Sequence, residues 1–90
     1  MKIAKLVFNS AGITETYGTV QGDKSDQELI KELCDIVPFA EGAEGEFERD
    51  DEYEKEGVPV VNYTYDGMGI LIGANEEQVD EVIAYGDTIL

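Results

Sequence analysis

Residues 44–56, EGEFERDDEYEKE, carry an acidic side chain at every second position. Glu44, Glu46, Glu48, Asp50, Glu52, Glu54 and Glu56 alternate with Gly45, Phe47, Arg49, Asp51, Tyr53 and Lys55. Side chains on a strand alternate faces, so an extended conformation would line seven carboxylates along one face, about 6.7 Å apart. That spacing is close to the roughly 6–7 Å that separates successive phosphates along one nucleic-acid strand. The chemistry of such a row is multipoint attraction of cations. Holding it together costs energy: neighbouring charges at this distance repel by roughly 0.6 kcal/mol each in water before screening. The segment must therefore stay loose and solvated, or be held because something basic binds it. Phe47 and Tyr53 offer anchors to a core, and a bend near Asp50-Asp51 would divide the row. An edge strand, two short arms and a loop are all compatible with the pattern.

Other chemistry is poorly supplied. The 90 residues contain no histidine, which removes the commonest general base and the Ser–His and Cys–His nucleophile systems. No glycine-rich phosphate loop occurs, and Gly67-Met68-Gly69 is better read as part of a hairpin. Carboxylates abound, but acid–base catalysis needs one of them set apart in a pocket with a raised pKa, and none is singled out. The sequence therefore points away from an enzyme and implies no cofactor. Asp23-Lys24-Ser25-Asp26 and Asp50-Asp51-Glu52 offer oxygens to a divalent cation, yet neither fits an EF-hand loop, so no metal site is expected. Cys34, the only cysteine, sits in an apolar helical pattern and reads as a small buried hydrophobe.

Charge bounds the partners. The net charge is −15, from 21 acids and 6 bases. Residues 41–56 hold nine acids and two bases, and the remaining chain is acidic as well. A field of this sign repels nucleic acids and anionic membranes and attracts basic protein surfaces. The N-terminal MKIAKLVFNS has a lysine inside its apolar run and no cleavage pattern, so it does not read as a signal peptide. No apolar run approaches membrane-spanning length. A soluble, cytoplasmic protein is expected.

The elements that must position the row follow from periodicity. Ile3–Phe8 and Ile13–Val20 read as strands joined through the turn residues Asn9–Gly12, with Phe8 opposite Ile13 and Gly18 marking a weak point or bulge. Ser25-Asp26-Gln27-Glu28 is a capping box. The helix after it should run to about Val37, with Leu29, Ile30, Leu33, Cys34, Ile36 and Val37 as its apolar stripe, and Pro38 stopping it. Val58–Gly73 is a hairpin on the turn Asp66-Gly67. Its register pairs Tyr65 with Met68, Tyr63 with Ile70 and Val61 with Ile72 on one apolar face that should meet the helices. Asn75-Glu76-Glu77-Gln78 caps a last helix. Val79, Val82, Ile83 and Tyr85 face its core side, Gly86 is its C-cap, and Ile89 and Leu90 pack back. Glu76, Glu77, Asp80 and Glu81 form its exposed acidic face. The chain reads as one α+β domain, a small antiparallel sheet of four to five strands packed on two helices in the order ββα(β)ββα, with an exposed acidic segment at 41–57.

Three functional classes are compatible with this reading. The first is a non-enzymatic inhibitor that imitates a phosphate backbone and occupies the basic cleft of a DNA- or RNA-binding protein. Its contacts would be Glu44, Glu46, Glu48, Asp50, Asp51, Glu52, Tyr53, Glu54 and Glu56, with Glu76, Glu77, Asp80 and Glu81 as a secondary acidic face. Small size, high negative charge and missing catalytic equipment are shared with phage-encoded inhibitors of host defence, of the anti-restriction and anti-CRISPR type, which act in the host cytoplasm. The likeness is one of composition, and no family motif is matched. The second is a solvated acidic interaction or halophile domain without mimicry. The third is a divalent-cation-binding module. Either a monomer or a homodimer, paired through an exposed sheet edge, fits the pattern.

Overall fold

The computed structural model describes the backbone of residues 1–89 and the side chains of residues 1–84. Five antiparallel strands form one sheet: β1 (Lys2–Ser10), β2 (Ile13–Gly22), β3 (Glu48–Asp50), β4 (Val60–Tyr65) and β5 (Met68–Gly73), in the spatial order β2-β1-β5-β4-β3. Three helices accompany it: α1 (Asp26–Ile36), the single turn α2 (Glu52–Lys55) and α3 (Glu76–Ile89). A 3₁₀ turn, Pro38–Ala40, follows α1. The α+β class and the order of its main elements agree with the sequence.

Both hairpins are set by turns with two positive φ angles, which match the right-handed twist of the flanking strands. Asp66 (φ 48°) and Gly67 (φ 82°) join β4 to β5, and the register pairs Tyr65–Met68, Tyr63–Ile70 and Val61–Ile72 as expected. In the first hairpin the turn is Ala11-Gly12 (φ 56° and 80°), not the four residues Asn9–Gly12. Ser10 therefore faces Ile13, and Phe8 faces Glu15. A bulge opposite Leu6 and Val7 leaves Tyr17 as the extra residue beside Gly18.

The helices lie on opposite faces of the sheet. The expectation of one covered face is corrected here. Ala4, Leu6, Tyr63, Met68, Ile70 and Ile72 meet Leu29, Ile30, Leu33 and Cys34 of α1 in the larger core. Val7, Val60 and Leu71 meet Val79 and Val82 of α3 in the smaller one. The reason is visible in the strands: Val7, Val60 and Leu71 are apolar on the second face, and that face also needs cover.

The capping box at Ser25 is formed, with the Ser25 hydroxyl accepting from Glu28 N–H and the Glu28 carboxylate accepting from Ser25 N–H. Ile36 does not join the buried stripe of α1; it is 56% exposed. Helix α3 continues through Gly86 to Ile89, so Gly86 is not its C-cap. The side chains of Tyr85 and Ile89, and Leu90 altogether, lie outside the described residues. No described helix is long and apolar enough to cross a membrane.

Candidate functional site

The acidic stretch is not one strand. Residues 41–46 form successive turns, with the Glu46 amide donating to Ala43 O and the Ala43 amide to Ala40 O. Gly42 takes a φ of 81° that side chains rarely adopt. Only Glu48–Asp50 extends and pairs, with Glu48 opposite Thr64, Arg49 opposite Tyr63 and Asp50 opposite Asn62. The chain then coils into α2, where the Glu52 amide donates to Asp50 Oδ1. The row of seven collapses to two carboxylates at strand spacing, Glu48 and Asp50. Repulsion along the row disfavours extension, whereas the helical turn brings opposite charges together. Asp51 pairs with Lys55 at 3.3 Å, and Arg49 with Glu54 at 2.9 Å.

The aromatic anchors separate. Phe47 is buried in the α1-side core and meets Tyr65 edge-to-face, ring centroids 5.7 Å apart. Tyr53 packs against the α3-side core. Glu44 turns inward and is only partly exposed; its Oε2 is enclosed without a hydrogen-bond partner. Burial, and then the negative charges of Glu44 and Asp35, push the Cys34 thiol pKa up, so Cys34 is no nucleophile at neutral pH. Glu44, Asp51 and Glu54 are thus removed from the free carboxylates.

What remains converges with the acids of α3. An open groove of about 670 Å³ lies on the α3 side of the sheet, near the hairpin tips. Its apolar lining includes Val7, Leu71, Val82 and Ile83, and Glu46, Glu48, Asn62, Thr64 and Asp66 add polar walls. No basic residue lines it. Asn62 Oδ1 is enclosed there without a donor. A second cleft, sharing Tyr53 and Val82 with the first, brings Glu56 beside Glu81. A third depression shares Glu81 and is lined by Glu76, Glu77 and Asp80. The two acidic groups, 20 residues apart between Glu56 and Glu76, therefore form one continuous acidic side of the molecule.

Every basic side chain of the chain is already engaged. Lys2 pairs with Asp26, Lys24 with Glu32, Lys31 with Asp35, Arg49 with Glu54 and Lys55 with Asp51. Lys5, on β1 beneath α3, pairs with both Glu76 and Asp80. The α3 acids thus have a lysine after all, supplied from the sheet rather than from the next helical turn. Burial lowers the Lys5 pKa, but hydrogen bonds and charge from Asp80 and Glu76 outweigh it, and the net shift is upward. Glu46, Glu48, Asp50, Glu52, Glu56, Glu77 and Glu81 have no basic partner among the described residues.

The sequence reading missed the groove and the role of Lys5. The groove arises where Gly69 and the short polar residues Asn62 and Thr64 leave the second face low. The available signal was the polar break between Val60 and Leu71 on that face. Among the described residues, no group of three or more metal-ligating side chains is placed to hold an ion. No family model matches the chain, and neither a curated protein nor a solved structure does.

Proposed function

We propose that this protein is a non-enzymatic acidic inhibitor that docks its α3 side onto the basic, nucleic-acid-binding cleft of a partner protein. The observation that carries this reading is the separation of charge. All six bases are tied up in ion pairs, while Glu46, Glu48, Glu56, Glu77 and Glu81, carboxylates without a basic partner, line an open groove and the two clefts beside it. Carboxylates that pair with the lysines and arginines of a basic cleft take the place of the phosphate contacts that dominate nucleic-acid affinity. Glu48 and Asp50 keep a spacing of about 6.7 Å, near that of successive phosphates. The groove supplies what a flat charged surface lacks. Apolar walls and acidic rims suit the stem and head of an arginine or lysine, and Asn62 Oδ1 is an acceptor in want of a donor. The site is thus a two-sided patch rather than a single mimicked strand. Composition of this kind fits a phage-encoded inhibitor of host restriction or CRISPR nucleases, acting in the host cytoplasm.

The test is capture from a bacterial lysate at low salt, elution by salt, and competition of the eluted protein with duplex DNA and RNA. The reading requires the captured protein to bind nucleic acid, and to lose that binding competitively as the inhibitor is added. A partner whose nucleic-acid binding is unaffected would overturn it.

A further inference from the structure

We propose, on the inhibitor reading, that the groove on the α3 side of the sheet is a socket for one arginine side chain of the basic partner, with Asn62 selecting it. Two rows of cross-strand neighbours run across this face. Glu48, Thr64, Gly69 and Val7 form one, and Asp50, Asn62, Leu71 and Lys5 form the next. The groove is low at Gly69, which has no side chain. A Cβ there would lie 3.3 Å from Asn62 Oδ1 and 3.5 Å from Val7 Cγ2, so the Asn62 amide borders the space over the glycine. That oxygen is enclosed and accepts from no donor among the described residues.

An enclosed acceptor without a donor costs free energy, and a leucine of nearly the same shape would remove that cost. Asparagine at this place is accounted for by a donor brought from outside the chain. The rim sets the charge of that donor. Glu46, Glu48 and Asp66 line the groove, and none has a basic partner among the described residues. Val7, Leu71 and Val82 offer an apolar wall to an aliphatic stem.

Hydration decides between the two cationic side chains. A lysine ammonium is a compact, strongly hydrated charge, content with the carboxylates at the rim. A guanidinium is weakly hydrated and carries five donors in a planar fork. One edge of the fork can reach the enclosed Asn62 Oδ1 while another meets the Glu48 carboxylate. Arginine is also the side chain that grips phosphate bidentately in a nucleic-acid-binding cleft. Such an arginine, once seated in the groove, no longer reaches a phosphate.

The test is an NMR titration of the isotope-labelled full chain with N-acetyl-arginine amide and, at matched ionic strength, with N-acetyl-lysine amide. The arginine probe should give saturable shifts centred on the Asn62 side-chain amide and the backbone amides of Thr64 and Gly69. The lysine probe should bind at least about fivefold more weakly. Asn62→Leu should lose about tenfold in arginine affinity, yet melt at or above the wild-type temperature. Gly69→Ala changes no charge but sets a methyl group in the groove, and should also weaken the arginine probe. Lysine bound as tightly as arginine would overturn the proposal, as would shifts spread without saturation over every acidic surface. So would wild-type arginine affinity in either variant once folded. The probes need no partner, so the socket and the inhibitor reading fail separately. Arginine binding alongside a captured protein indifferent to nucleic acid sinks only the inhibitor reading. A captured protein that competes with nucleic acid, alongside a groove that ignores arginine, sinks only the socket.

Discussion

Phe47 and Tyr53 are six residues apart, an even spacing that a continuous strand would place on one face, yet they pack on opposite sides of the sheet. The helical turn that begins at Glu52 makes the difference, rotating Tyr53 past the sheet edge toward α3. The acidic segment is thereby clamped to both cores. Truncating Phe47 to Ala should cost about 3 kcal/mol, because a nearly buried ring and its contact with Tyr65 are lost. Tyr53→Ala should cost less, about 1–2 kcal/mol, since the ring is only partly buried. Urea unfolding with unchanged slope checks both values.

How much of this was legible in the sequence depends on the kind of signal. The Asp66-Gly67 hairpin and the Ser25 capping box are local devices, with register and partners within a few residues, and both are formed as read. The division of α1 and α3 between two faces is non-local. It hinges on Val7, Val60 and Leu71, whose apolar character on the second face was visible but was outweighed by the longer apolar face opposite. The acidic row misled because alternation implies a strand only when backbone pairing rewards extension. Here β4 offers three positions, and Arg49–Glu54 and Asp51–Lys55 favour a coil back. Lys5 beneath Glu76 and Asp80 was unreadable, since the pairing spans 75 residues to Asp80.

Asp26 links the sheet to α1. It accepts hydrogen bonds from Lys2 Nζ and the Tyr63 hydroxyl, both at 2.9 Å. Burial raises its pKa, but the bonds from Lys2 and Tyr63 outweigh it, and the net shift is below 3.8. A depressed carboxylate contributes stability that is present above its unfolded pKa and lost as pH falls through the folded one. Asp26→Asn should therefore destabilise by about 1–2 kcal/mol at neutral pH. The gap to wild type should close under acid conditions, below the lowered Asp26 pKa. Urea midpoints across an acid titration measure this.

Lys5 behaves in the opposite sense. Its raised pKa means that its contribution is complete below 10.5 and fades as pH rises through the folded value. Lys5→Met should flatten the alkaline loss of stability. At neutral pH it should cost about 1 kcal/mol or less, because Glu76 and Asp80 are more than half exposed and remain hydrated. Thermal melts from neutral to strongly alkaline pH compare the two proteins.

Gly18 lets α1 approach the sheet. A Cβ there would lie 2.8 Å from Val37 Cγ2 and 3.3 Å from a Leu33 methyl. Gly18→Ala should then cost about 1–3 kcal/mol by overpacking, despite the better strand propensity of alanine. A Val37→Ala change in the same chain should recover part of the loss, which a double-mutant cycle measures as a coupling.

The placement of the carboxylates separates a docking site from mere net charge. Glu48→Gln/Glu56→Gln removes two carboxylates without a basic partner from the groove and the adjoining cleft. Glu28→Gln/Glu41→Gln removes two exposed ones elsewhere, and glutamine still completes the capping box at Ser25. The two variants share one net charge, so any long-range attraction to a basic partner falls equally in both, and their association rates should drop together. Only the first pair leaves a docked cation without its counter-charge. Its complex should dissociate about tenfold faster and lose roughly two counterions from the salt dependence of binding. Stability should hold or rise slightly in the first variant, where repulsion is relieved, and fall slightly in the second, where α1 loses the charge of a first-turn acid. Surface-plasmon kinetics on the captured partner decide the matter. Equal dissociation rates for the two variants would move the interface away from the α3 side.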